Sequence, residues 1–328
     1  MILAGDIGGT KTVVAIFDET TSGLRLVRDA TFKSQEHSTF ENILGKFLDG
    51  DRGLKLAAGC FGVAGAVIDG KCQTTNLPWM LDEVALARAI GAPRVKLLND
   101  LEAAAFGMLY LRPDEMRVLN AGSEPKRRGN VAVLAAGTGL GEAMLFWDGK
   151  QHHPIASEGG HADFAPRNDL EIDLLNYLRP KYGGHVSYER ILSGPGFTNV
   201  YTFLRDRGHH PETPALREKI SAGDLNIVVT QLGMSRDDPL CTATVDLFDE
   251  IYGAESGNLA LKCVAVGGVY VGGGIAPKML AALENGSFMR GFTDKGRFST
   301  LMRSLPVSVS LNPRAPLIGA ANFASRLV

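Results

Sequence analysis

Two stretches of this chain repeat one design: a buried-type strand, a glycine-rich turn, and a second strand. The first runs from Ile2-Leu3-Ala4 through Gly5-Asp6-Ile7-Gly8-Gly9-Thr10-Lys11-Thr12 and leaves as Val13-Val14-Ala15-Ile16-Phe17. The second enters as Val131-Ala132-Val133-Leu134-Ala135, turns at Gly137-Thr138-Gly139-Leu140-Gly141 and leaves as Ala143-Met144-Leu145-Phe146-Trp147. A β-branched, apolar run after the first turn reads as a strand and not a helix. That excludes a P-loop, whose second glycine is in any case replaced by Thr10. The GxGxG spacing of the second turn, again with a strand behind it, is not the dinucleotide fingerprint. What remains is a pair of hairpins whose bends can hold phosphate. Glycine lacks Cβ, so the backbone can take φ > 0 and bring its N–H groups close to a ligand. Asp6 adds an acid at a strand end, and Thr10 and Lys11 add donors, a set suited to a polyphosphate carrying a metal ion. A third turn, Val271-Gly272-Gly273-Gly274-Ile275, follows another buried-type strand and could back a nucleotide base.

The alternation of strands and helices around these turns gives an α/β fold. Strands are expected at 12 to 18, 24 to 32, 55 to 63 and 94 to 98, with helices at 39 to 48, 81 to 91 and from Leu101 onward. The polar stretch 123 to 130 reads as a solvated loop, and 169 to 265 is mostly helical in pattern. A helix is expected from Pro277, because proline suits a first helical turn. The chain closes with a strand near 305 to 311 and a helix near 315 to 326. With 328 residues, of which 45% are hydrophobic, the chain can build two cores. We expect two α/β domains on similar cores facing each other across a cleft: a small one at 1–110 completed by 303–328, and a large one at 111–302.

Net charge is −2, so bulk electrostatics recruits neither nucleic acid nor anionic lipid. No apolar run reaches the roughly 18 to 20 residues of a membrane span, and the first residues are expected to belong to the fold and not to a signal region. Cys60, Cys72, Cys241 and Cys263 are scattered without a CxxC pair, which reads as reduced thiols in the cytoplasm and no zinc site.

The remaining chemistry lies in three polar segments. Asn99-Asp100 ends a strand and starts a helix. Both residues make good N-caps, yet strand ends in α/β sheets also face ligands. An aspartate there can accept the proton of an attacking hydroxyl, typically worth ~10² to 10⁴ in rate, and an asparagine can donate to and accept from a sugar hydroxyl. Ser157-Glu158-Gly159-Gly160-His161-Ala162-Asp163 could be a structural cluster or a metal site, but a carboxylate and an imidazole bracketing adjacent hydroxyls suits a sugar better. Glu189, in Ser187-Tyr188-Glu189-Arg190-Ile191-Leu192-Ser193-Gly194, could pair with Arg190, face water or serve the site.

Taken together, Gly5 to Thr10, Leu98-Asn99-Asp100, Ala136 to Gly141, Ser157 to His161, Ser187 to Gly194 and Val271 to Ile275 resemble the bacterial glucokinase family. This is the group without the zinc-binding cysteines of the ROK sugar kinases. The resemblance implies the two-domain actin-like ATPase (ribonuclease H-like) fold with an interdomain cleft, and phosphorylation of D-glucose by ATP with Mg²⁺. It implies Asp100 as catalytic base, with Asn99, Glu158, His161 and Glu189 on the other sugar hydroxyls. Gly5, Asp6, Ile7, Gly8, Gly9 and Thr10 would hold ATP phosphates, with Asp6 placing Mg²⁺ through water. Gly137, Thr138 and Gly139 would supply the opposing phosphate turn, and Gly272, Gly273 and Gly274 would lie by the adenosine. Sugar binding is expected to close the domains, and a homodimer is implied. Lys11 stands where many members carry Asn, and Thr75-Asn76-Leu77-Pro78-Trp79 is expected to border the sugar pocket.

Three other functions compete with this one. A kinase of mannose, fructose or an N-acetyl hexosamine would share the fold. A sugar-sensing transcriptional regulator would need a DNA-binding domain, for which a glycine turn at residue 5 leaves no expected room. An actin-like or chaperone ATPase would have no use for Glu158, His161 and Glu189 together.

Overall fold

The structure, a computed structural model, describes residues 1–21, 23–50, 53–124 and 127–328. The chain opens with the strands β1 (Ile2–Ile7), β2 (Lys11–Thr20) and β3 (Gly23–Lys33), then helix α1 (Phe40–Leu48). Strand β4 (Ala58–Val63), the short hairpin β5 (Lys71–Gln73) and β6 (Met80–Asp82), α2 (Glu83–Ile90), β7 (Val95–Asn99) and α3 (Asp100–Met108) follow. Next come β8 (Met116–Asn120), β9 (Val131–Ala136), β10 (Leu140–Trp147) and β11 (His152–Ile155). A helical stretch holds α4 (Asp169–Leu178), α5 (Gly194–Asp206), α6 (Pro214–Ser221), α7 (Leu225–Met234) and α8 (Pro239–Cys263). The chain ends through β12 (Gly268–Gly272), α9 (Leu280–Leu283), α10 (Ser287–Thr293), α11 (Ser299–Ser304), β13 (Val307–Ser310) and α12 (Ala315–Ser325). No helix among the described residues is long and apolar enough to cross a membrane.

Two compact units result. One comprises Met1–Glu115, His152–Ala156 and Asn312–Val328; the other comprises Met116–Gln151 and Ser157–Leu311. In the first unit the strand order is β3-β2-β1-β4-β7, with β1, β4 and β7 parallel and β2 and β3 antiparallel to their neighbours. Side chains alternate across this sheet. Leu3, Ile7, Phe61 and Val63 pack under Phe40, Ile43 and Phe47 of α1, while Ile2, Ala4, Ala58 and Cys60 pack under α3 and α12. The second face is lined by small residues because the helices there come unusually close. A Cβ on Gly319 would lie 1.8 Å from the Ala103 carbonyl oxygen, and one on Gly107 would lie 1.9 Å from that of Ala315. This packing fixes the start of α3 at the end of β7.

The second unit repeats the plan. Its strands run β10-β9-β12-β13-β8, with β9, β12 and β13 parallel. Buried α8 lies against α10 with the same small-residue device: a Cβ on Gly253 would come within 1.9 Å of the Phe288 carbonyl oxygen. Its core includes Leu134, Phe197, Phe248, Tyr252 and Phe288.

Several expected elements differ in extent. The strand expected at 55 to 63 begins only at Ala58, although the Ala57 N–H already donates to the Met1 carbonyl at 2.8 Å. Pro277 opens a 3-10 turn, Ala276–Met279, before α9 begins at Leu280. In the loop at 123 to 130, Pro125 and Lys126 lie outside the described residues.

Candidate active site

In the first unit the site begins at one edge of the sheet. Ile7 pairs with Val63 and Val63 with Asn99, so the carboxyl ends of three parallel strands finish level. Ligands of open α/β sheets bind at that edge. The turn between β1 and β2 is closed by the Gly8 N–H donating to the Lys11 carbonyl at 3.0 Å. It is braced from behind by Ser34, whose hydroxyl donates to the Gly8 carbonyl at 2.7 Å and lies 2.9 Å from that of Thr12. Neither Gly8 nor Gly9 adopts a positive φ, so conformational freedom is not what demands glycine here. Close approach is: a Cβ on Gly9 would sit 2.8 Å from the Asn76 Cβ, and one on Gly5 would sit 2.8 Å from the Phe61 ring. The 75–79 loop therefore lies beside the turn. Ser34 was not legible as a site residue, since nothing distinguishes a serine after a strand until the strand is folded beside the turn.

Asp6 faces the α3 and α12 side of β1, by alternation from Ile2 and Ala4. Burial raises its carboxyl above the usual range, and the Lys11 ammonium pulls it part of the way back. Among the described residues no three His, Cys, Asp or Glu side chains converge to hold a metal. Asp6 with the turn's backbone fits a dication brought in on a polyphosphate, which usually keeps several waters.

Asn99 caps α3, the first of its two sequence readings. Its Oδ1 accepts from the Leu101 N–H at 2.8 Å, its own N–H donates to the Glu102 carboxylate at 2.8 Å, and its Nδ2 donates to the Gly65 carbonyl at 3.1 Å. One amide proton and one lone pair of the side chain are left over from these bonds. Asp100 is the first residue of α3 and accepts from the Leu101 N–H at 2.9 Å. A helix N-terminus favours negative charge.

The second unit brings together Glu158, His161 and Glu189. His161 lies between the two carboxylates, its Nε2 4.0 Å from Glu158 Oε2 and its Nδ1 4.0 Å from Glu189 Oε1. Those gaps are wider than hydrogen bonds and leave all three groups able to engage hydroxyls. Short antiparallel pairing holds the cluster, with the Tyr188 N–H donating to the Ala162 carbonyl and the Phe164 N–H to that of Val186. Glu189 does not pair with Arg190, which stacks on the Tyr182 ring at 4.5 Å. Instead its Oε2 accepts the Leu140 N–H at 3.1 Å, and a Cβ on Gly139 would come within 2.5 Å of the same oxygen. The carboxylate cluster and the second glycine turn are thus joined through one side chain.

That turn is closed by the Gly137 N–H donating to the Gly139 carbonyl at 2.8 Å, and the Gly194 N–H at the start of α5 donates to the Gly137 carbonyl at 2.9 Å. The third glycine cluster lies alongside, because Gly272 pairs with Ala135 and the Ile275 N–H donates to the Ala136 carbonyl at 3.1 Å. Gly273 does need glycine: its φ is +80°, and a Cβ would meet the Ala136 carbonyl oxygen at 2.3 Å. Nothing lies within 4 Å of a Cβ built on Gly137 or Gly274, so both backbones border open space.

A sequence model of the glucokinase family matches residues 3–327. The chain belongs to that family. It is similar to a glucokinase of Synechocystis sp., 41% identical with 99% of this chain and 98% of the relative covered. One from Nostoc punctiforme is 38% identical over 100% of this chain and 99% of its own length. The solved glucokinase of an Antarctic psychrotroph superposes with a TM-score of 0.85 at 30% identity, covering 99% of this chain and 98% of that one. A Streptomyces griseus ROK family glucokinase, solved with glucose and AMPPNP, shares the fold at a TM-score of 0.63 and 21% identity, with 99% of each chain covered. The fold is that of the actin-like ATPase and sugar kinase superfamily.

Proposed function

We propose that the protein transfers the γ-phosphoryl group of ATP to the 6-hydroxyl of D-glucose, giving glucose 6-phosphate and ADP. The observation that carries this is the Glu158–His161–Glu189 cluster, tied through Glu189 to a glycine turn. Phosphoryl transfer asks a protein mainly for positioning and charge neutralisation. Glu158, His161, Glu189 and Asn99 hold the non-reacting hydroxyls and so aim the 6-hydroxyl. Asp100 accepts the proton of that hydroxyl as its oxygen attacks phosphorus. The turns at Gly5 to Thr10 and Gly137 to Gly139 bind phosphate oxygens, and Gly272 to Gly274 lie by the adenosine. Asp6 holds the Mg²⁺ that accompanies ATP, through water; when bound, the ion neutralises charge on the phosphates.

A coupled assay of sugar-dependent ADP release across glucose, mannose, fructose and N-acetyl hexosamines tests this. The highest kcat/KM is expected with glucose; a higher value for another hexose would reassign the substrate, and ATP hydrolysis indifferent to sugar would reject a sugar kinase. The family also supports a homodimer acting in the cytoplasm, and light scattering tests the first of these.

A further inference from the structure

Beneath the sugar-side turn lies an acid that the roles above leave unused. Glu142, on β10, is 1% exposed, and neither of its carboxyl oxygens has a hydrogen-bond partner. A Cβ on Gly159 would come within 2.2 Å of its Oε2. The carboxyl is therefore pressed against the backbone that carries Glu158 and His161. From α8 it is faced by Glu255, also fully buried. Glu255 accepts from Asn258 Nδ2 at 2.7 Å and is paired with the Lys262 ammonium at 3.4 Å. Asn258 also donates to the Tyr188 hydroxyl at 3.0 Å, one residue before Glu189.

Two facing carboxylates away from water repel strongly, whereas one shared proton converts the contact into a hydrogen bond. Glu255 already holds Lys262 and Asn258, so the proton belongs on Glu142. Burial first, and Glu255 second, push the Glu142 carboxyl up to about 8, with Lys262 opposing them. The other titratable groups around the pair are Tyr252 of α8, whose hydroxyl accepts the Ala136 N–H, and Tyr188 and Lys295, both of which feel the Glu255 charge. Glu158 and His161 stand on the exposed side of the turn.

We propose that Glu142 is a positioning residue: its protonated carboxyl, bonded to Glu255, supports Gly159 and holds Glu158 and His161 at the spacing that receives sugar hydroxyls. The inference rests on the assignment of those two residues to the sugar. Raising the pH moves the Glu142 proton to solvent and leaves two facing carboxylates under the turn. Sugar affinity then falls, while the chemical step on bound sugar does not. If only the protonated form binds well, apparent affinity scales with its population. From pH 7 to pH 9 the loss is about tenfold in Kd and in KM, with kcat little changed.

Calorimetric titration of glucose into the wild-type protein, Glu142→Gln and His161→Ala, in two buffers of different ionisation enthalpy, tests this. The wild type is expected to lose about tenfold in affinity between pH 7 and pH 9 and to take up most of a proton per glucose at pH 9. Glu142→Gln keeps a neutral donor, and should show neither effect. A Glu142→Gln variant that repeats the wild-type loss would overturn the proposal, as would a wild type of constant affinity without proton uptake. His161→Ala at pH 7 separates the two failures. Weak glucose binding there leaves the sugar-side assignment standing when Glu142 fails, and unchanged binding removes the assignment itself. Proton uptake is read on the wild-type chain, so the test does not depend on the folding of a variant.

Discussion

Asp100 and Glu189 show how much of a residue's role is set by what its neighbours have already claimed. Asn99, beside Asp100, caps α3 and still retains one donor and one acceptor. Capping and sugar binding are therefore compatible in one side chain. Asp100→Asn should lower kcat by ~10² to 10⁴ with a small change in KM, because proton acceptance operates only in the transition state. A variant turning over glucose at the wild-type rate in steady-state assays would remove Asp100 as base. Gly139→Ala tests the joint between turn and cluster. The new methyl meets Glu189 Oε2 at 2.5 Å, so the carboxylate must leave the Leu140 N–H. Hydrogen bonds to charged groups are worth about 1.5–3 kcal/mol, so KM for glucose should rise roughly tenfold or more. An unchanged KM would mean that Glu189 does not depend on the turn.

At the scale of elements, the contact that matters is α12 on α3, which sets where Asp100 stands. Gly319→Ala would gain α12 about 1 kcal/mol of helix propensity. The same methyl would lie 1.8 Å from the Ala103 carbonyl oxygen. That is a collision with backbone, which cannot swing aside as a side chain can, and overpacking of this kind typically costs 1–3 kcal/mol, occasionally more. We expect the collision to win: a lower urea midpoint and a lower kcat together. A midpoint raised by the substitution would show that the helices yield freely. The glycine at 319 looks like a defect in a helix when read alone, and only the partner helix explains it.

For the molecule as a whole, buried acids give stability a definite dependence on pH. Glu142 has its carboxyl raised from the ordinary 4.5 to about 8 in the folded chain. Its contribution is complete below the unfolded value, shrinks as pH rises between the two, and is gone above about 8. Asp249, fully buried and likewise raised by burial and by Asp246, acts in the same direction. The urea midpoint of the wild type should therefore fall between pH 5.5 and pH 8.5, and Glu142→Gln should flatten part of the fall. Parallel slopes for the two proteins would show that Glu142 titrates alike folded and unfolded.

The sequence makes the strand–glycine–strand units and the α/β class legible, because local alternation and turn chemistry are written in neighbouring residues, and it carries the family through the resemblance of whole motifs. It also marked Asn99, Asp100, Glu158, His161 and Glu189 as candidates. It misattributed the glycines at 8 and 9 to backbone freedom, when their need for space comes from Asn76 and the turn's own closure. The two short strands β5 and β6 went unread, since three residues carry no usable period. Only tertiary structure decided that Glu189 reaches back to Leu140, that Ser34 braces the first turn, and that Glu142 shares its burial with Glu255 under Gly159. These contacts join residues from 17 to 113 positions apart. Such contacts depend on sheet register and helix packing, and no local pattern in the chain can encode them.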